Sequence, residues 1–389
     1  MSATTESRTP LARTSSHVLL LLAAAWVFPA LITPAAPAAD VKLLEESRQA
    51  MEKADPFMGD WEGIFTQRNK KTAPLVAQVV ALGKDRYHAT LLPEFDKRTT
   101  TIANLEGLRE GDAIRFFGWG DVSCYRGPDW EGKIENGKFT GSVPAREGGT
   151  FELRKVVRIP PTLGARPPAG AVVLFDGTNY DQWHGYVRVS AAKKAGEKKN
   201  AGDKKAAGEK AGSAARSPAK AAAAKAAARI PGPVKWVIAD GAMRAVPGSG
   251  SVVTRNKFNF FKLHLEFRTP FMPEAREQAR GNSGVKLHNL EIQVLDTYGL
   301  VGRSKECGGI YGRVDPSVNM CAPPQQWQTF DVTVQPAGSD GKARLTVLQN
   351  GVAIHEGLEI GAIAQPTTIE LQDHSNPVEY RNVWLVELR

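Results

Sequence analysis

Beyond residue 230 the chain breaks into a long succession of short apolar and β-branched segments. They lie at 234–238, 251–254, Phe261–Arg268, 284–287, 291–295, 330–335, Ala343–Gln349, 352–355, 368–372 and 383–388. Turn residues separate them, and Asn350-Gly351 is short enough to close a two-residue hairpin. No long helical period intervenes, so crossover helices for a parallel sheet are missing. The expected fold class is therefore all-β, an antiparallel sandwich or jelly roll.

With 389 residues the chain is too long for one ordinary domain of roughly 100–200 residues. A smaller β-rich domain is expected over 55–159. Its strand-like segments are Trp61-Glu62-Gly63, 87–92, 114–117 and 151–153, and Glu135-Asn136-Gly137-Lys138 is a hairpin signal. Trp61, Trp119 and Trp130 are suited to stacking on sugars, but core packing is the ordinary use of such residues. Residues 40–54 have the pattern of a short amphipathic helix. Pro160-Pro161 and Pro167-Pro168 mark a linker, and Val172-Val173-Leu174-Phe175 opens the second domain, 171–389.

Residues 1–39 stand apart. Arg8 and Arg13 precede an apolar run, 18–28, and Ala35-Ala36-Pro37-Ala38-Ala39 supplies small residues for cleavage. That is the form of a signal peptide. The run is shorter than the roughly 20 residues a membrane span needs. A secreted or periplasmic protein with no membrane attachment after cleavage is expected.

The net charge of +9 invites a nucleic-acid partner, but its location argues against one. Residues 191–230 hold nine Lys and two Arg against two Glu and one Asp. The excess belongs to a low-complexity Ala/Lys insertion, 191–229, with too few apolar residues for a core. The folded parts are close to neutral. Oligomeric state is left open. Of the three cysteines, Cys307 and Cys321 flank a Gly/Pro-containing loop and are expected to form a disulfide in an exported protein. Cys124 is then a buried free thiol.

Strand parity sorts the candidate site residues. His264, Glu266 and Arg268 share a face, backed by Leu263, Leu265 and Phe267. Glu291 and Gln293 share another, and Gln372 and His374 a third. Solvated sheet faces alternate in the same way, but they favour Lys, Thr and Ser over these groups, which suit sugar hydroxyls. Asn282 sits in the polar turn Gly281-Asn282-Ser283-Gly284. Asp296 follows the Glu291 segment into a loop, where functional groups concentrate. Arg381 either binds a substrate oxygen or pairs with Glu379.

An ordered series of motifs then carries a resemblance. It runs Leu174-Phe175-Asp176-Gly177, Trp236, Asp240-Gly241, Leu265-Glu266-Phe267-Arg268, Gly281-Asn282-Ser283-Gly284-Val285 and Glu291-Ile292-Gln293-Val294-Leu295-Asp296. It continues with Gly309-Ile310-Tyr311-Gly312, Trp327-Gln328-Thr329-Phe330-Asp331, Asn350-Gly351, Leu371-Gln372-Asp373-His374 and Arg381-Asn382-Val383-Trp384. Together these resemble the 3-keto-disaccharide hydrolase domain family over 171–389, with the Ala/Lys insertion as the main departure. The resemblance implies a concanavalin-like jelly roll that cleaves 3-keto-glycosides. A ketone at C3 acidifies the C2 proton. A base removes it, and the C1 substituent leaves by elimination, with water adding afterwards. Such a site needs a base and a cation facing the enolate oxygen. His374 or Glu291 is the candidate base. Arg268, Arg381 or a divalent metal ion on Glu291, Asp296 or His374 is the candidate cation. Asn282, Gln293 and Gln372 are candidate sugar ligands. The alternative is a non-catalytic carbohydrate-binding module.

Overall fold

The computed structural model describes residues 45, 49–50, 52–120, 130–144, 148–189 and 228–388, with the backbone alone at 119–120, 187–189 and 228–229. The expected signal peptide, Cys124 and residues 190–227 lie outside the described residues, as does the Trp119 side chain. Of the helix expected over 40–54, the described positions are helical.

Eight antiparallel strands form the first body: β1 (Gly59–Gln67), β2 (Thr72–Gly83), β3 (Arg86–Leu92), β4 (Ala103–Glu110), β5 (Ala113–Gly120), β6 (Trp130–Glu135), β7 (Lys138–Val143) and β8 (Gly149–Val156). Each pairs with the next and β1 pairs with β8, so the sheet closes into a barrel without free edges. Alternation fills its interior. In β4, Ala103 and Leu105 are buried while Asn104 and Glu106 are exposed. Trp61 and Phe116 meet Phe139 with ring centroids 6.0 and 5.0 Å apart, and Trp130 is buried as well. Each such aromatic contributes on the order of 1.5–3 kcal/mol by leaving water. The two described tryptophans are therefore core.

The second body is a jelly-roll sandwich. Its strands are β9 (Val172–Phe175), β10 (Trp183–Val189), β11 (Ala228–Gly232), β12 (Val237–Ala239), β13 (Ala242–Arg244), β14 (Val252–Thr254), β15 (Phe261–Arg268) and β16 (Ser283–Leu287), followed by β17 (Leu290–Val294), β18 (Gln328–Gln335), β19 (Ala343–Gln349), β20 (Val352–Gly361), β21 (Glu370–Leu371) and β22 (Glu379–Glu387). One sheet runs β11-β10-β14-β21-β16-β17. The other runs β12-β13-β22-β15-β18-β19-β20, with β9 also on β22. Leu263, Leu265 and Phe267 of β15 share a core with Val285, Ile292 and Leu371 of the first sheet. Several boundaries differ from expectation, among them β18, which starts at Gln328, and β20, which runs on to Gly361. β12 starts at Val237 rather than 234. Ala228 and Arg229, expected within the insertion, pair with β10. β22 starts at Glu379, which places Arg381 inside a strand.

Barrel and sandwich belong to one compact unit, Pro37–Arg389. Tyr298 Oη donates to Asp60 Oδ1 at 2.6 Å, and Arg158 Nε donates to Asp60 Oδ2 at 2.7 Å. Arg98 of the β3–β4 loop donates to the carbonyls of Gly302 and Pro316, both at 2.8 Å. Arg276 donates to Leu82 O at 2.8 Å. Gly299 lets the sandwich loop press onto the barrel, because a Cβ there would lie 2.6 Å from Val80 Cγ2.

Candidate active site

Pairing on the six-stranded sheet assembles the site. In the β16–β17 ladder Lys286 stands opposite Glu291 and Gly284 opposite Gln293. On the other side of β16, Glu370 of β21 stands opposite Lys286. Glu370, Lys286 and Glu291 thus form a row across three strands, with the alternate residues Val285 and Ile292 turned into the core. Gln372 N donates to Gly284 O at 2.9 Å, so Gln372, Gly284 and Gln293 form a second row. Gly284 leaves Glu291 its space: a Cβ at 284 would sit 2.6 Å from Glu291 Oε1.

Lys286 Nζ lies 3.7 Å from both Glu291 Oε2 and Glu370 Oε1. The Gln372 amide, turned to give its NH2 to Glu291 Oε1 at 3.3 Å, accepts from Lys286 Nζ at 3.0 Å. The Gln293 amide lies 3.2 Å from Glu291 Oε1 at one end and 3.2 Å from Asn282 Oδ1 at the other. Asn282 in turn donates to Gln278 O at 2.7 Å. Burial pushes the Glu291 carboxyl above its ordinary pKa, Lys286 opposes that, and Glu370 adds to it. A half-buried carboxylate of this kind is a stronger base than a solvated one. Lys286, Glu291 and Glu370 line a cleft of about 460 Å³ together with His288, Tyr311 and Arg313.

His374 is exposed and close enough to Glu291 for its charge to lower that carboxyl. Its loop is held by Asp373, whose Oδ2 accepts from Gly250 N at 2.7 Å. The structure therefore gathers Glu291, Gln293, Gln372 and Asn282 together, with His374 nearby. Lys286, Glu370 and Gln278 join them although sequence reasoning passed over them. The parity of β16 and β21 carried the signal for the first two, but isolated charges on a strand look like ordinary surface residues.

The two arginines are elsewhere. They lie on the eight-stranded sheet, where the β15–β22 register sets Arg268 opposite Glu379 and Arg381 opposite Glu266. Arg268 pairs with Glu379 and lies over the Trp327 ring at 4.7 Å. Arg381 Nε donates to Glu266 Oε2 at 2.6 Å, and its guanidinium lies 4.0 Å from the same ring centroid. Arg381 thus pairs with Glu266 rather than Glu379, and neither arginine reaches Glu291. The eight-stranded face is sealed by the linker: Gly164 N donates to Glu266 Oε1 at 2.6 Å, and Thr162 Oγ1 to Asp331 Oδ2 at 2.6 Å.

Asp296 is also corrected as a metal ligand. It is buried, and Arg280 Nε donates to its Oδ2 at 2.6 Å. Among the described residues, no three His, Cys, Asp or Glu converge to hold a metal ion, and the nearest charged neighbour of Glu291 is a lysine. That donor set does not fit a divalent cation. Cys307 and Cys321 are free buried thiols, not a disulfide. The two thiols lie close enough to interact with each other, and each has a further partner: Gln349 Nε2 donates to Cys307 Sγ at 3.3 Å, and Cys321 Sγ donates to Leu295 O at 3.4 Å.

Residues 170–386 match the family model described as a 3-keto-α-glucoside-1,2-lyase-like domain. Among solved structures, one candidate glycosyl hydrolase from Parabacteroides distasonis is 26% identical, covering 57% of this chain and 85% of that one, with a TM-score of 0.41. A second from the same organism is 17% identical, covering 57% and 94%, with a TM-score of 0.37. A sialidase is 9% identical, covering 89% of this chain and 35% of that one, with a TM-score of 0.27. No curated protein matches.

Proposed function

Because the chain belongs to the 3-keto-α-glucoside-1,2-lyase-like domain family, a carbohydrate-active family, we propose that the Glu291–Lys286 cluster cleaves 3-keto-glycosides. The observation that carries this is the row Glu370–Lys286–Glu291, which sets a carboxylate of raised basicity against an ammonium in an accessible cleft.

The chemistry needs two charges in adjacent positions. Glu291 takes the C2 proton, and the C–H electron pair moves into a C2–C3 double bond, leaving O3 as an enolate oxygen. Lys286 faces that oxygen and offsets its charge. The enolate then restores the C3 ketone. A C1–C2 double bond forms, the C1–O bond breaks, and the leaving alkoxide departs with a proton. His374, exposed and near enough for its charge to lower the Glu291 carboxyl, is assigned in this reading the supply of that proton or its return when water adds at C1. Gln372, half-buried beside Glu291, is left to hold a sugar hydroxyl, while Gln293 and Asn282, each 1% exposed and bonded to one another, steady the Glu291 carboxylate instead of touching the sugar. Two paired carboxylates, as in ordinary glycosidases, are not required. Action outside the cytoplasm, after export directed by residues 1–39, belongs to the same proposal.

Incubating the protein with a 3-keto-disaccharide, with and without chelator, tests it. Substrate should disappear under both conditions if Lys286 is the cation facing the enolate. Loss only without chelator would transfer that role to a bound metal ion. Sugar binding with no turnover under either condition would make the domain a carbohydrate-binding module.

A further inference from the structure

Between barrel and sandwich lies a cavity of about 970 Å³, at the upper end of the roughly 300–1,000 Å³ that small-molecule sites occupy. We propose that it receives the leaving group of the substrate and that this group is an aryl aglycone. The inference rests on the glycoside-cleaving role of the Glu291 cluster.

Continuity with the cleft is the first support. Gln278 lines the cavity, and its Oε1 lies 3.1 Å from Asn282 Nδ2 and 3.3 Å from the Gln293 amide that reaches Glu291. Tyr311 lines both the cavity and the Glu291 cleft, and its backbone N donates to Glu291 O at 2.9 Å. A sugar held at Glu291 therefore has the cavity beside it.

Polarity is the second support. Val80 and Leu82 of β2 form the barrel wall, and Leu295, Tyr298 and Leu300 form the facing wall. Glu277, Arg303 and Lys305 are exposed, and the polar groups set deeper in these walls are engaged. Arg280 is paired with Asp296, Arg276 caps the carbonyls of Pro273, Ala275 and Leu82, and the Tyr298 hydroxyl is given to Asp60. What is left to a ligand is mainly apolar. Leu300 is 54% exposed, an apolar side chain held in water at the cavity wall. A second sugar would call for free amides and carboxylates, and those of this lining are mostly engaged: Gln278 with Lys305 O and Asn282, Glu306 with the Gly302 and Arg303 amides, and Asp315 with Ser304 N. The barrel lies outside the family match at 170–386, so this wall is an addition to the family domain.

The test compares aryl, methyl and glucosyl 3-keto-α-glucosides on wild-type, Leu300→Asp and Leu82→Gln proteins. Wild type should favour the aryl substrate. Each substitution should lower kcat/KM for the aryl substrate by about tenfold or more, the scale of one lost apolar contact, and leave the methyl substrate unchanged. An unchanged aryl-to-methyl ratio in both variants, or a wild-type preference for the glucosyl substrate, would overturn the inference. A second readout separates this from the cleavage reaction: calorimetric binding of an unoxidised aryl glucoside. If no substrate turns over, the proposed reaction fails, while weaker aryl binding by Leu300→Asp still upholds the cavity's role. Equal binding by wild type and both variants sinks it.

Discussion

Glu291 on the six-stranded sheet and Glu266 on the eight-stranded sheet each face a cation from the adjoining strand, Lys286 in one case and Arg381 in the other. Their surroundings differ. Glu266 accepts from Arg381 Nε at 2.6 Å, Gly164 N at 2.6 Å and Asn382 Nδ2 at 2.9 Å, and its side chain is 0% exposed. Burial alone would raise its pKa, but the bonds from His264, Asn382 and Arg381 hold it down at about 2. Glu291 has only looser neighbours, a lysine at 3.7 Å and amides beyond 3 Å, and remains 19% exposed in its cleft. Its pKa moves the other way. A carboxylate saturated with charge-assisted donors is a fastening and a poor base. One that is partly desolvated and under-bonded is free to take a proton.

The contrast can be broken most forcefully at Glu266. Glu266→Ala strands Arg381 and should cost about 3–5 kcal/mol in chemical denaturation, while activity per folded molecule is kept. At Lys286 the losses should reverse. Lys286→Met should lower kcat about 100-fold or more by removing the charge facing the enolate, with thermal stability near wild type. A variant that melts early but turns over normally would place Lys286 with the fastenings.

Titration sharpens the comparison. Burial opposes charging of His264, but its bonds to Asp331 and Glu266 outweigh this and push it up to about 9. A histidine raised in the folded state stabilises fully below its unfolded pKa near 6.5. That contribution, on the order of 3 kcal/mol at 1.36 kcal/mol per pKa unit, is lost as pH rises through about 9. Denaturation midpoints should fall across that window, and His264→Gln should flatten the fall. The smallest effect concerns Glu370. Its negative charge helps raise Glu291, so Glu370→Gln should move the acid limb of the kcat/KM profile to lower pH. A shift to higher pH would contradict that coupling.

Much of this was legible in local pattern. The alternation in Phe261–Arg268 and in Glu291–Ile292–Gln293 gave the correct faces, and the turn at Asn282 does adjoin the site. What parity could not tell was which polar face stays open. That depends on where residues 160–165 cross the sheet, a contact spanning about 100 positions between Gly164 and Glu266. The same limit explains Asp296, since nothing beside it in sequence announces Arg280 at 2.6 Å. The Arg381 partner was missed for another reason. The β15–β22 ladder shifts register between His264 and Glu266, and a one-residue slip changes every pairing beyond it. Closure of the barrel rests on β1 meeting β8, with Gly63 opposite Leu153, and no local motif encodes that pairing. Cys307 and Cys321 do come together in the core, but as interacting free thiols, since a disulfide needs a specific bond geometry as well as proximity.

The most direct measurement is proton NMR of a 3-keto-α-glucoside in D2O, following the C2–H signal with wild-type, Glu291→Gln and Glu266→Gln proteins at matched folded concentration. If Glu291 is the base, wild type and folded Glu266→Gln should exchange or eliminate at C2. Glu291→Gln should then lose this by about 100- to 10,000-fold, the span of a single general base. Wild-type C2 exchange by Glu291→Gln would contradict the assignment of the six-stranded face as the catalytic one.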